Sequence, residues 1–214
     1  MKNILQKRSF SAWIAEVISL LLHPVFIPLY TVVLYFYLSP RYFLPQNIYS
    51  LFSYLLIVSI IIPLLFLLML RLIRIVESIK LKTARERLFF SVIMTSVYFI
   101  IFNKLIDYHD YIELYSFFFG IFLSLAMLAV FNYQKIKPSI HAVAVSGMLT
   151  FFIMWSYYSR VNILNVLSAF IMLGAFAIAA RLYLQAHSFR EIVMGLMIGV
   201  LMQVIAFYYI LEFF

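Results

Sequence analysis

Residues 54–73 read YLLIVSIIIPLLFLLMLRLI, a run of twenty positions broken by one proline and one arginine. A stretch of about 20 apolar residues is what an α-helix needs to cross the roughly 30 Å hydrocarbon core of a bilayer. Comparable runs recur along the whole chain, near 11–38, 51–75, 88–106, 113–132, 139–157, 162–182 and 190–211. A membrane barrel would instead alternate apolar and polar residues in segments of about 10. The chain is 66% hydrophobic and 11% charged, whereas a soluble domain is about 45–50% apolar. These features predict an all-α integral membrane protein, a helical bundle of about six to seven transmembrane helices. No repeat, linker or low-complexity tract divides residues 1–214, which read as a single transmembrane helical domain.

The first segment is the longest. An unbroken helix over 11–38 would reach roughly 42 Å, so a kink at His23-Pro24 or an interfacial first turn is expected to absorb the excess. The start of the chain lacks a small-x-small cleavage pattern and reads as an uncleaved first span. His23 and Glu16 within it admit two readings, a contact near a headgroup or a kinked span whose His bonds a nearby carbonyl.

Seven crossings put the N-terminus and the segments near 76–87, 133–138 and 183–189 on one side. Of the 16 Lys and Arg residues, all but Arg41, Lys104 and Arg160 fall on that side. The positive-inside rule makes it cytoplasmic. A net charge of +8 therefore marks loops facing anionic headgroups and predicts no nucleic-acid partner. With no cysteine, thiolate and disulfide chemistry are excluded. LIDYHDYIE, with Asp107, His109, Asp110 and Glu113, reads as an acidic loop on the other side. Metal binding there is the lesser alternative.

Three short clusters place costly ionisable groups beside the spans, all on the basic side. KLKTARERL sets Lys80 and Arg87 seven residues apart, two turns on one helical face, where two cations can grip a phosphate. PSIH, from Pro138 to His141, reads as a helix start. The free N–H groups of a first turn and the Ser139 hydroxyl suit an anion there, and His141 can donate a proton near neutral pH. ARLYLQAHSFRE carries Arg181, then His187, then Glu191 four residues later, a carboxylate able to hold and orient an imidazole. Each cluster alone also reads as ordinary span-flanking charge.

In order and spacing the set resembles the type 2 phosphatidic acid phosphatase superfamily. The family pattern is Lys, six residues, Arg-Pro; Pro-Ser-Gly-His; and Ser-Arg, five residues, His, three residues, Asp. Here it stands as Lys80, six residues, Arg87-Leu88; Pro138-Ser139-Ile140-His141; and Ala180-Arg181, LYLQA, His187, SFR, Glu191. The motifs lie within residues 80–191. The resemblance implies that Lys80, Arg87 and Arg181 bind phosphoryl oxygens, completed by Ser139. It implies His187 as a nucleophile forming a phosphohistidine, Glu191 as its orienting carboxylate and His141 as the acid for the leaving group. It implies no cofactor and no metal. The partners would be a phosphorylated lipid and the bilayer, in a bacterial inner membrane. Oligomeric state is unreadable.

Two departures matter. Ile140 stands where the family has Gly, and a β-branched residue is expected to alter a cradle that needs positive φ. The usual plan also places three spans before the Lys-Arg motif and none between it and Pro-Ser-Gly-His, with a site facing away from the cytoplasm. This chain reads as two before and two between, with the site on the cytoplasmic face by charge. Hence two alternatives to a lipid phosphatase stay open: a degenerate relative that binds phosphorylated lipid, or a small transporter or structural protein with chance motif matches.

Overall fold

A computed structural model describes residues 10–74 and 83–213, and among them regular structure is entirely helical. Eight helices follow in order: α1 Phe10–Leu21, α2 Ile27–Leu38, α3 Pro45–Leu72, α4 Ala84–Leu105, α5 Ile112–Tyr133, α6 Ile140–Ser159, α7 Leu164–Tyr183 and α8 Phe189–Phe213. The helices α3 to α8 are each long and apolar enough to cross a membrane.

The first apolar segment is broken at the expected place. Pro24 has no N–H to continue the hydrogen-bond ladder, and α1 stops at Leu21, two residues before His23. Each half has 12 residues, roughly 18 Å of helix, so neither half spans alone. Ser11 meets Tyr183 at one end of the bundle through their hydroxyls (2.6 Å). At the other end Tyr35 reaches Glu113. Together α1 and α2 thus form one interrupted crossing.

The second segment begins earlier than its hydropathy suggests. Pro45 occupies the first helical turn of α3, where its missing N–H is not needed, so residues 45–50 are helix rather than loop. Ala84–Leu105 is a full-length helix, which puts two long helices, α4 and α5, between the first and second motif segments.

The core lies where α8 packs against both α5 and α6. Phe117, Phe118, Phe151, Phe152 and Trp155 are almost wholly buried there. Two glycines let α8 approach α6 closely. A Cβ on Gly195 would lie 2.5 Å from the Ser139 carbonyl oxygen, and one on Gly199 would lie 2.4 Å from that of Val143. This Gly-x-x-x-Gly spacing puts both on one face, the arrangement by which membrane helices pack tightly.

At the end away from the basic motifs, Arg41 donates to Glu113 (2.7 Å), which also accepts from the Tyr35 hydroxyl (3.0 Å). Asp107 accepts from the backbone N–H groups of His109 and Asp110. The acidic loop is thus committed to a turn and an ion pair, and among the described residues no three His, Asp or Glu side chains cluster as metal ligands do.

Candidate active site

Two identical devices deliver the chain into the second and third motif segments. After α5, Lys135 takes positive φ (62°), with Lys135 N–H bonded to Asn132 O and Ile136 N–H to Phe131 O. After α7, Gln185 does the same (49°), with bonds from its N–H to Leu182 O and from Ala186 N–H to Arg181 O. Both are Schellman endings built without glycine. Each turns the chain sharply at the same end of the bundle, so Pro138–His141 and His187–Glu191 meet.

They are bonded to each other. The Ser139 N–H donates to the Glu191 carbonyl at 2.9 Å, and Lys137 Nζ donates to Ala186 O at 3.3 Å. Ser139 is the extended residue before α6, and Pro138 lies just outside the helix rather than in its first turn. Ile140 is the first helical residue and has no positive φ. The expected conflict between a β-branched side chain and the backbone at 140 therefore does not arise, because this chain turns at Lys135 instead.

Glu191 serves two ends at once. With Ser188 it forms a capping box: Ser188 N–H donates to Glu191 Oε2 (3.0 Å) and Glu191 N–H to Ser188 Oγ (3.4 Å). The same Oε2 lies 3.1 Å from His187 Nδ1, so the neutral ring carries its proton on Nδ1 and leaves Nε2 as the free base. The His187 side chain is only 6% exposed. Burial pushes its pKa below the ordinary value, helped by the charges of Lys137 and Arg181 and opposed by Glu191.

The interrupted first crossing supplies the other wall. Arg181 Nη1 donates to Ser19 Oγ at 3.0 Å. His141 Nε2 lies 3.3 Å from the Ser19 carbonyl oxygen and 3.5 Å from its hydroxyl. The His23 ring stands edge-on to His141 with centroids 5.2 Å apart, and its Nδ1 accepts from Val25 N–H. At the break His23 thus bonds a backbone N–H rather than the expected carbonyl, and its ring stands beside a motif histidine. Ser139 Oγ, His141 Nδ1 and Arg181 Nε are buried with no hydrogen-bond partner.

Arg87 stands in the second turn of α4, which opens on a second capping box, Thr83 with Glu86. Its Nε donates to Asn132 Oδ1 (3.4 Å), and Asn132 in turn donates to Ser91. The Glu191 carboxylate is near enough to act on the Arg87 charge. Because Thr83 is extended (φ −88°, ψ 154°), the two-turn helical face expected over 80–87 is interrupted there. Lys80 lies outside the described residues.

Of the residues singled out by sequence, Ser139, His141, Arg181, His187 and Glu191 come together and Arg87 approaches them. Sequence reasoning missed Ser19 and passed over Lys137 as loop charge. The His23-Pro24 break was the one signal that could have found Ser19.

Residues 131–214 match the family model of the PAP2 superfamily. No curated protein and no solved structure matches the chain. The matched stretch contains Ser139, His141, Arg181, His187 and Glu191, and it leaves Lys80, Arg87, Ser19 and His23 outside.

Proposed function

We propose, from the match of residues 131–214 to the PAP2 superfamily model, that this chain is a membrane lipid phosphatase of that superfamily. Its substrate is a lipid phosphomonoester or isoprenyl diphosphate whose apolar part stays in the bilayer. The observation that carries the reading is the bond from Ser139 N–H to the Glu191 carbonyl (2.9 Å) beside the His187–Glu191 pair (3.1 Å), which joins two motif segments far apart in sequence.

In the proposed mechanism, Arg181 and Arg87, with Lys80, draw in the phosphoryl oxygens and offset charge as it develops. Phosphoryl transfer asks mainly for this positioning and neutralisation. The Ser139 hydroxyl and Arg181 Nε, buried without partners, supply further donors to the anion. His187 Nε2 attacks phosphorus, and Glu191 stabilises the imidazolium as the N–P bond forms. The P–O bond to the leaving group breaks, and that oxygen takes a proton from His141. Water then attacks the phosphohistidine, giving its proton to His141 and releasing phosphate and His187. Guanidinium and ammonium groups supply the positive charge, so the proposal includes no metal.

The test is phosphate release by the purified protein from dispersed lipid phosphates, with and without a chelator. The expected result is turnover that the chelator does not touch and that His187→Ala abolishes. Full activity in His187→Ala would overturn the mechanism. Binding of lipid phosphate without product would favour the degenerate-relative reading.

A further inference from the structure

An apolar cavity of about 400 Å³ lies between α1, α2, α6 and α7. Leu21, Tyr30, Val33, Val145, Leu173 and Gly174 are among its walls. Helical register ties it to the site. Val145 follows His141 by one turn on α6, and Gly174 precedes Arg181 by two turns on α7, so each lies on the same helical face as its motif residue. Leu21 comes two residues after Ser19 on the third element. By register the cavity lining comes within one turn of His141 on α6 and within two turns of Arg181 on α7, on the side towards the helix interiors. Tyr30, Val33 and Leu173 are each more than a third exposed, so its side opens to lipid.

We propose that this cavity holds one apolar chain of the phosphorylated substrate, the part next to the phosphate. The inference rests on the phosphatase reading and names the feature by which substrates are chosen. A chain anchored by its phosphate at Arg181 passes Ser19 and then meets Val145, and below that the lining is apolar except for the Tyr30 hydroxyl, which is given to Leu21 O. At about 30 Å³ for a water-sized group, the space takes roughly a dozen chain carbons. Two chains of that length exceed it, so when one fills the cavity a second lies outside in the lipid phase. The break at His23-Pro24 borders the chamber: Leu21 at the end of α1 and Ile27 at the start of α2 both line it.

The test uses single-chain alkyl phosphates of increasing length and a short water-soluble aryl phosphate. In the native protein kcat/KM rises severalfold with each few added carbons and levels off near twelve, as buried methylenes would dictate. Val33→Trp and Leu173→Trp fill the chamber from different helices and are made separately, so that one misfolded variant does not decide the matter. Each lowers kcat/KM for the long chains at least tenfold and leaves the short ester unchanged. A flat chain-length series in the native protein overturns the inference while the phosphatase reading stands. So does a native long-to-short ratio in both variants. A native protein that hydrolyses none of these esters overturns both.

Discussion

The Ser19 carbonyl oxygen lies 3.3 Å from His141 Nε2, and it is a carbonyl that an unbroken helix would have given to the His23 N–H. Pro24 cannot donate to Leu20 O, so the His23 N–H bonds Leu20 O instead and Ser19 O is released. His187 has a carboxylate to fix its tautomer, and His141 has this freed carbonyl. With Nε2–H held, Nδ1 is the nitrogen left without a partner, and the proposed mechanism uses that one.

Pro24→Ala is therefore expected to let α1 continue, return Ser19 O to His23 and strip His141 of its acceptor. Loss of such an orienting partner costs about 10–100-fold in activity elsewhere. The expected outcome is a fall of that size in kcat with KM little changed and thermal stability kept or raised. An unchanged kcat in a folded variant would show that the carbonyl orients nothing of consequence.

Glu191 both caps α8 and holds His187, and the two roles separate by substitution. Glu191→Gln keeps an oxygen for the Ser188 N–H, as capping boxes allow, but removes the charge facing the imidazole. Its melting temperature should stay near native while kcat falls by two or more orders of magnitude. Glu191→Ala should lose the same activity and about 1 kcal/mol of stability besides. Thermal melts and phosphate release on the same preparations check both.

The pH profile follows from the lowered pKa of His187. In the proposed mechanism His187 must be neutral to attack, so activity is held above its folded pKa and lost as acid protonates the ring. A lowered value moves that acid limb below pH 6.5. Lys137 is one cause of the shift, so Lys137→Gln should move the limb of kcat/KM towards higher pH. An unmoved limb would show that another group titrates there.

Gly195→Ala would place a methyl 2.5 Å from the Ser139 carbonyl and 3.0 Å from the Ala142 Cβ. The backbone beside the site has to move, at a cost of about 1–3 kcal/mol, and activity should drop with it. Gly147→Ala is the control, since its nearest contact is an ordinary 3.8 Å. Equal effects from the two would remove any special role for the close approach at Ser139.

The absence of native cysteine makes sidedness directly measurable. Gln134→Cys stands at the end that carries the motifs and Asn162→Cys at the opposite end. The charge distribution predicts that a membrane-impermeant thiol reagent labels the second in intact cells, and the first only after lysis. The reverse pattern would put the site on the outer face.

The spans were legible because about 20 apolar residues can do little else in one chain. The motif residues were legible because charge beside a span is costly and stands out. Pro45 and Thr83–Glu86 were local signals passed over: a first-turn proline and a capping box, both readable from residue type and spacing. Ser19 was another matter. It is a small residue in an apolar run, and its position against Arg181 and His141 depends on three helices meeting, a tertiary fact with no local pattern. The turn at Lys135 was equally hidden, since glycine would have announced it and lysine does not. That is why Ile140 seemed to conflict with a bend made five residues earlier.

The glycine seam between α6 and α8 also orders events during biosynthesis. Ser139 and His141 are made and inserted two helices ahead of Gly195. Until α8 docks, the Ser139 N–H has no Glu191 carbonyl to meet, and the local capping box that steadies His187 is not joined to the second motif segment. A chain arrested after α7 would carry Ser139, His141 and Arg181 but neither His187 nor Glu191. Under the proposed mechanism, turnover would have to wait for the final hairpin to close.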